Sequence, residues 1–174
     1  MNRLFLNKKL DVYNRVYNYV NMYLENLPKI ANGAVIFDID DTLIDISKVI
    51  RKSHNVVLFD QIEPIVRLCK RCKELGYKVI ILTARYKYAM MSSFQNLNLF
   101  HIEYDEIYHN EKEEDPRFKI QFKQNLANTN NIILCIGDQW HDIQGIYNSL
   151  GIKLPCGQNK NAYFTFNNVN FYEI

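Results

Sequence analysis

Five short apolar runs, separated by longer stretches with helical spacing, leave this chain few folds to choose from. The runs are Ala34 to Asp38 (AVIFD), Lys78 to Leu82, Glu106 to Tyr108, Ile132 to Ile136 and Tyr163 to Phe166. Each is too brief for a helix and is bounded by glycine, acids or turn residues, as strands buried on both faces are. Between them, 61–75, 86–97, 117–126 and 140–150 repeat apolar residues at a helical period. Strands alternating with helices require helices on both faces of a mainly parallel sheet, a three-layer α/β/α sandwich expected here to have five strands.

Two segments stand outside that alternation. Leu10, Tyr13, Tyr17, Val20, Leu24 and Leu27 form the apolar stripe of an amphipathic N-terminal helix over 10–27, closed by Pro28 and Asn32-Gly33. The stripe is expected to dock on its own domain, with a second subunit as the other solution, so the chain reads as a monomer or homodimer. The segment 44–59 is longer than an ordinary strand-to-helix connection and places Ser53-His54-Asn55 between two apolar patches, the best candidate for a small lid. No repeat, linker or low-complexity stretch divides the chain, so 1–174 reads as one domain. A chain of 174 residues buries on the order of 70% of its unfolded surface and needs no disulfides to hold a core.

Charge excludes little but points nowhere else. With a net charge of +2 and basic residues scattered among acids, there is no strong nucleic-acid signal and no membrane signal. Lys70, Arg71 and Lys73 share a helix with Leu68 and Leu75 and read as its solvated face. Cys69 and Cys72 form a C-x-x-C inside that same helix with no second ligand pair at zinc spacing, while Cys135 lies in the core-like run IILCI. Reduced cysteines, no secretory h-region and no bilayer-length apolar run make a cytoplasmic location the expectation.

In an open parallel sheet ligands bind beyond the carboxyl ends of the strands. There the chain places Asp38, Asp40, Asp41 and Thr42; then Thr83, Ala84 and Arg85; then Gly137, Asp138 and Asp142. Two carboxylates two residues apart at the exit of a buried strand repel, and a cation relieves them, with Asp138 as a third oxygen ligand. Such hard donors suit Mg2+, which keeps waters and shares phosphate oxygens. One carboxylate can then attack phosphorus while the other shuttles the proton, a division that fits Asp38 as nucleophile and Asp40 as acid and base. The Thr83 hydroxyl and the amides following Thr83 and Asp40 can cradle phosphate oxygens, and Arg85 either touches phosphate or pairs with a nearby acid. A lysine must also come from elsewhere. Lys119, at the start of the helix before the fourth strand, is the candidate, with Lys123 one turn later in reserve, and a solvated surface lysine is the alternative.

Taken in order, FDIDDTL, ILTAR, the lysine of RFKIQFK and IGDQWHDI resemble the four signature motifs of the haloacid dehalogenase (HAD) superfamily. GDQW followed by aspartate, EPIVRLCKRCKELGYKVIILTAR and LGIKLP are most similar to its class B and plant-type acid phosphatase group, which includes vegetative storage proteins. The resemblance implies a Rossmann-like fold with a minimal cap, an aspartyl-phosphate intermediate and magnesium. Carried onto this chain, it makes Asp38 nucleophile and metal ligand, and Asp40 acid/base and a ligand through its carbonyl. It gives the phosphate to Thr83 and Lys119, and the metal to Asp138 with Asp142 in support. Two departures stand out: the segment between the first two motifs is short, and His141 occupies a position where that group usually has serine.

A phosphohydrolase acting on a phosphorylated small molecule such as a nucleotide is thus the expected function. A phosphatase of macromolecules, a phosphotransferase and a non-catalytic storage or scaffold relative are the alternatives. Trp140 is expected to anchor its helix on the sheet, with stacking on a substrate ring as the other reading. His54 and His101 are expected at the surface.

Overall fold

A computed structural model describes residues 3–53, 56–111, 115–166 and 170–174 of the chain. The elements run α1 (Arg3–Asn26), β1 (Gly33–Phe37), β2 (Ile44–Lys52), β3 (Val57–Gln61), α2 (Glu63–Glu74), β4 (Lys78–Tyr86), α3 (Met90–Leu99), β5 (Glu106–Asn110), α4 (Phe118–Leu126), β6 (Asn131–Gly137), α5 (Trp140–Ile143), β7 (Leu150–Lys153), β8 (Tyr163–Phe166) and β9 (Tyr172–Glu173).

Strand alternation sorts the core into two layers. Val35 and Phe37 of β1 and Val79 and Ile81 of β4 pack toward α1 and α2. Ala34, Ile36, Ile80 and Leu82 face the other way, toward Phe118 and Phe122 of α4. All five residues of β1 are buried, which is why its sequence is a continuous apolar run.

The main sheet has seven strands in the order β5-β4-β1-β6-β7-β8-β9, not the expected five. Its first five are parallel, and β8 and β9 are antiparallel additions. The fifth parallel strand is β7, which the helical reading of 140–150 had absorbed in part. That helix is a single turn, α5, because Gln144 is extended and Gly145 takes a positive φ of 97°. A side chain at Gly145 would also meet Ile120 Cγ2 at 2.8 Å. The four residues of β7, of which only Leu150 falls in the expected helix, pair between β6 and β8 and are wholly buried.

Other boundaries shift less. Helix α1 begins at Arg3, and its buried stripe is Val12, Tyr13, Val16, Val20 and Leu24, so Leu10 lies outside at 49% exposure. Tyr17 is half-buried because Arg67 of α2 lies over its ring at 4.0 Å. Arg71 bonds Glu25 and Asn21 of α1 (3.0 and 3.2 Å), so the basic face of α2 is in part an interhelical clasp. Strand β4 continues to Tyr86, and one 3₁₀ turn precedes α3 where a single helix over 86–97 was expected. Cys69 and Cys72 are fully buried in the core, and all four cysteines are free thiols. Among the described residues no helix is long and apolar enough to cross a membrane.

The 44–59 segment forms an antiparallel ribbon, β2 with β3, that begins beside the β1 tip at an Asp40–Ile44 bridge. Asn96 of α3 pins it by accepting the Phe59 N–H and donating to the Val57 carbonyl (2.9 and 2.8 Å). His54 and Asn55 lie outside the described residues. His101 is exposed, at positive φ just past α3.

Candidate active site

In this order of strands the direction of winding reverses between β1 and β6, and a crevice opens there beyond their carboxyl ends. Asp38 and Asp138 stand on its two sides. The Asp38 N–H still bonds the Ile136 carbonyl of β6 (3.0 Å), so the sheet fixes its backbone. Past it the chain turns sharply: the N–H groups of Thr42, Leu43 and Ile44 converge on the Ile39 carbonyl, with Asp41 at a positive φ of 51°. Aspartate tolerates that conformation better than most residues. The turn returns the Thr42 hydroxyl to donate to Asp38 Oδ2 at 3.5 Å.

Asp38, Asp138 and Asp142 are buried, and an oxygen from each lies within 4.8 Å of the others. Gly137 makes the approach possible, since a Cβ there would meet Asp142 Cβ at 2.2 Å. Asp142 is also locked by a capping box: its Oδ2 accepts the Gln139 N–H at 2.8 Å, and the Gln139 side chain accepts the Asp142 N–H.

Lys119 and Lys123 lie on one face of α4, as residues four apart do, and both turn inward. Lys119 Nζ donates to Asp38 Oδ1 and Asp142 Oδ1 at 2.5 and 2.7 Å. Lys123 instead donates to the carbonyls of His141 and Asp142 (2.9 and 2.5 Å), bracing α5. Neither is a solvated surface lysine. Burial would lower the Lys119 ammonium, but Asp38 and Asp142 overcome it and hold it above its usual range. Burial pushes Asp38 up to about 8 against the pull of Lys119, with Asp142 and Asp40 adding like charge. Asp138 is raised too, again chiefly by burial.

Crowding three buried carboxylates out of water costs several kcal/mol per ion, which the nearby lysines offset only in part, since Asp38 and Asp138 are both still raised. A divalent cation among three hard oxygen donors offsets the rest. The donor set therefore fits a divalent metal.

Thr83 is fully buried in the carboxyl half of β4, two residues beyond Ile81, the partner of Phe37 in β1. Its hydroxyl oxygen accepts the Arg85 N–H at 3.2 Å, and Ala84 between them is half-buried. Of the two readings of Arg85, the structure displays the acid pair: Nε and Nη2 donate to the two oxygens of Asp40 at 2.8 and 2.7 Å. Trp140 rests its helix against the outer side of the sheet, 6.5 Å from the ring of Tyr163 in β8, without being buried. It is 41% exposed, meets Phe171 edge-on at 4.8 Å and has Lys153 Nζ 5.4 Å from its ring. His141 Nε2 lies 3.6 Å from Asp142 Oδ1.

Sequence reasoning did not find Gln139, whose Nε2 donates to Asp138 Oδ2 at 2.6 Å and to Cys156 Sγ at 2.9 Å. Its place between the acids of GDQWHD was the available signal. Cys156, the far anchor, had none, being brought there by the turn after β7. Ser93, which accepts from Arg85 Nη1 at 3.3 Å, was equally silent.

The model of the HAD superfamily, subfamily IIIB (acid phosphatase), matches residues 6–173. The fold is similar to that of the class C acid phosphatase from Bacillus anthracis, at 15% identity and a TM-score of 0.63 over 78% of this chain and 65% of that one. The same enzyme with tungstate bound aligns at 16% identity and a TM-score of 0.58, again over 78% and 65%. A chain of a Pnkp1/Rnl/Hen1 complex aligns at 25% identity and a TM-score of 0.50 over 62% of this chain and 39% of that one. This chain thus spans less than two thirds of the length of each of these structures. No curated protein matches it.

Proposed function

The chain belongs to the HAD superfamily, subfamily IIIB (acid phosphatase), and from that premise we propose that it is a magnesium-dependent phosphohydrolase of small phosphate monoesters such as nucleotides. The convergence of Asp38, Asp138 and Asp142 around Lys119 at the winding reversal carries the reading.

Asp38, Asp138, Asp142 and the Asp40 carbonyl hold the metal in this reading. When bound, the ion neutralises the acids and polarises a phosphoryl oxygen. Lys119, the Thr83 hydroxyl, the Ala84 amide and Arg85 hold the phosphoryl oxygens and offset their charge. An Asp38 oxygen attacks phosphorus, and the ester P–O bond breaks with its electron pair on the leaving oxygen, which takes a proton from Asp40. Water then attacks the aspartyl phosphate and gives a proton to Asp40. The bond between Asp38 and phosphorus breaks, releasing inorganic phosphate and restoring both acids. The chain acts as one unit in this reading, with the β2–β3 ribbon as its lid.

The test is phosphate release across a panel of monoesters, with and without magnesium, for the parent and Asp38→Asn. Uncatalysed monoester hydrolysis is among the slowest of biological reactions, with accelerations up to ~10²¹, so genuine turnover stands far above background. The parent releases phosphate only with the metal, and the variant loses on the order of 10⁴-fold or more. Turnover that survives the substitution overturns the mechanism. Product analysis in added alcohol separates hydrolysis from phosphoryl transfer.

A further inference from the structure

Arg85 and Asp40 occupy each other in a way that the chemistry above does not permit throughout a turnover. The guanidinium closes a side-on fork on Asp40, Nε to Oδ2 at 2.8 Å and Nη2 to Oδ1 at 2.7 Å. Both carboxylate oxygens therefore face arginine. An acid that delivers a proton to a leaving group needs one of its oxygens within hydrogen-bond reach of that group. The pair is also placed where substrate must come. Thr83 and Arg85 lie near the carboxyl end of the same strand, with the Arg85 N–H on the Thr83 hydroxyl, and the Arg85 side chain is only 11% exposed.

Resting on the phosphohydrolase reading, we propose that Arg85 is an exchange residue: it holds Asp40 while no phosphate is bound, and an entering phosphate takes the guanidinium and frees Asp40 for proton transfer. A phosphate monoester offers the same fork of two oxygens as a carboxylate, with more charge, and so competes for the same planar set of donors. Ser93 supplies the pivot. It is fully buried on α3, and its Oγ accepts from Nη1 at 3.3 Å, a bond independent of Asp40. Three of the five guanidinium N–H groups are thereby engaged, two of them by the carboxylate that phosphate displaces. The acid is released only when there is something to protonate.

The exchange is tested by binding of inorganic phosphate, measured calorimetrically in saturating magnesium, for the parent, Asp40→Asn, Arg85→Ala and the double variant. Without its internal competitor Asp40→Asn binds phosphate roughly tenfold tighter than the parent, and Arg85→Ala binds it roughly tenfold more weakly. In the Arg85→Ala background the gain from Asp40→Asn disappears. A gain of the same size in both backgrounds means that simple removal of charge is responsible, and the exchange is wrong. Phosphate affinity unchanged in Arg85→Ala is equally fatal to it. Arg85→Lys keeps the charge but not the fork and completes the same cycle if the alanine variant does not fold. The Arg85 Nε–H resonance of the parent moves on phosphate titration if the guanidinium changes partner and stays in place if it does not. A parent that binds no phosphate at all overturns the phosphohydrolase reading and the exchange together, an outcome distinct from the others.

Discussion

At the amino end of the sheet Lys73 grips Asp105 with both carboxylate oxygens (2.7 and 2.9 Å), and Asp105 also accepts the Val79 N–H that opens β4. At the carboxyl end Lys119 meets Asp38 and Asp142 at similar distances. The amino-end pair is 28% and 36% exposed, and each charge there has its own partner. At the other end one ammonium serves two acids, and Lys119, Asp38 and Asp142 are exposed by 2%, 6% and 2%. The first arrangement closes a strand end with charge that water still screens. The second accumulates charge where nothing screens it, a pattern of function held at the expense of stability. The same contrast appears in the acids themselves. Partial burial alone would raise Asp105, but Lys73 and the Val79 N–H outweigh it and hold the carboxyl below its usual value. Burial lifts Asp38 up to about 8.

Removing one lysine from each end gives the largest difference. Lys119→Met strands two buried carboxylates and costs about 3–5 kcal/mol in the metal-free protein, whereas Lys73→Met costs at most about 1 kcal/mol. Urea unfolding in chelator measures both, and equal costs erase the distinction between the two ends. The next effect lies in pH. The folded value of Asp38 is above its unfolded one, so its contribution to stability is complete below about pH 4 and is lost as pH rises through about 8. The metal-free parent therefore loses stability relative to Asp38→Asn between about pH 5 and pH 8. Comparison with the variant separates Asp38 from His109 and His141, both lowered by burial. On the proposed function, magnesium, which needs ionised oxygens, raises the parent's Tm more at pH 8 than at pH 5. A gap between parent and variant that does not change with pH contradicts the assignment.

The two ends were not equally legible in sequence. Strands β1, β4 and β6 announce themselves because burial on both faces demands apolar runs, and the acids that follow β1 and β6 mark the carboxyl end; the edge strand β5, EIYHN and only partly buried, shows more weakly. Strand β7 does not: LGIK is short, contains glycine and lysine, and becomes a strand only through its neighbours β6 and β8. Position at the helix start favours Lys119 over Lys123; both turn inward, and the offset of one helical turn sends one to carboxylates and the other to carbonyls. Arg85 with Asp40, and Gln139 with Cys156, are pairs that the fold brings together across 45 and 17 residues. Local pattern leaves Arg85 between phosphate and an unnamed nearby acid, and carries no trace of the Gln139–Cys156 contact. The amino-end pair is of the same kind, joining Lys73 to Asp105 across 32 residues.

That pair carries the smallest and most discriminating effect. The folded value of Asp105 lies below its unfolded one, so its contribution is present above about pH 4 and is lost as pH falls through the folded value. The sign is opposite to that of Asp38. Asp105→Asn lowers stability by about 0.2–1 kcal/mol near neutrality, as a partly exposed pair does, and the cost vanishes in acid. Turnover stays within about twofold of the parent, since no charge moves at the carboxyl end and the variant keeps its fold. Unfolding curves from about pH 3 to 7 in moderate salt, paired with phosphate release, measure both quantities. If Asp105→Asn impairs turnover as Asp38→Asn does, the ends of β4 are energetically coupled and cannot be treated as a structural end and a chemical one. If the stability cost persists in acid, the Val79 N–H rather than Lys73 is the partner that matters, and the amino end is held by strand capping instead of charge.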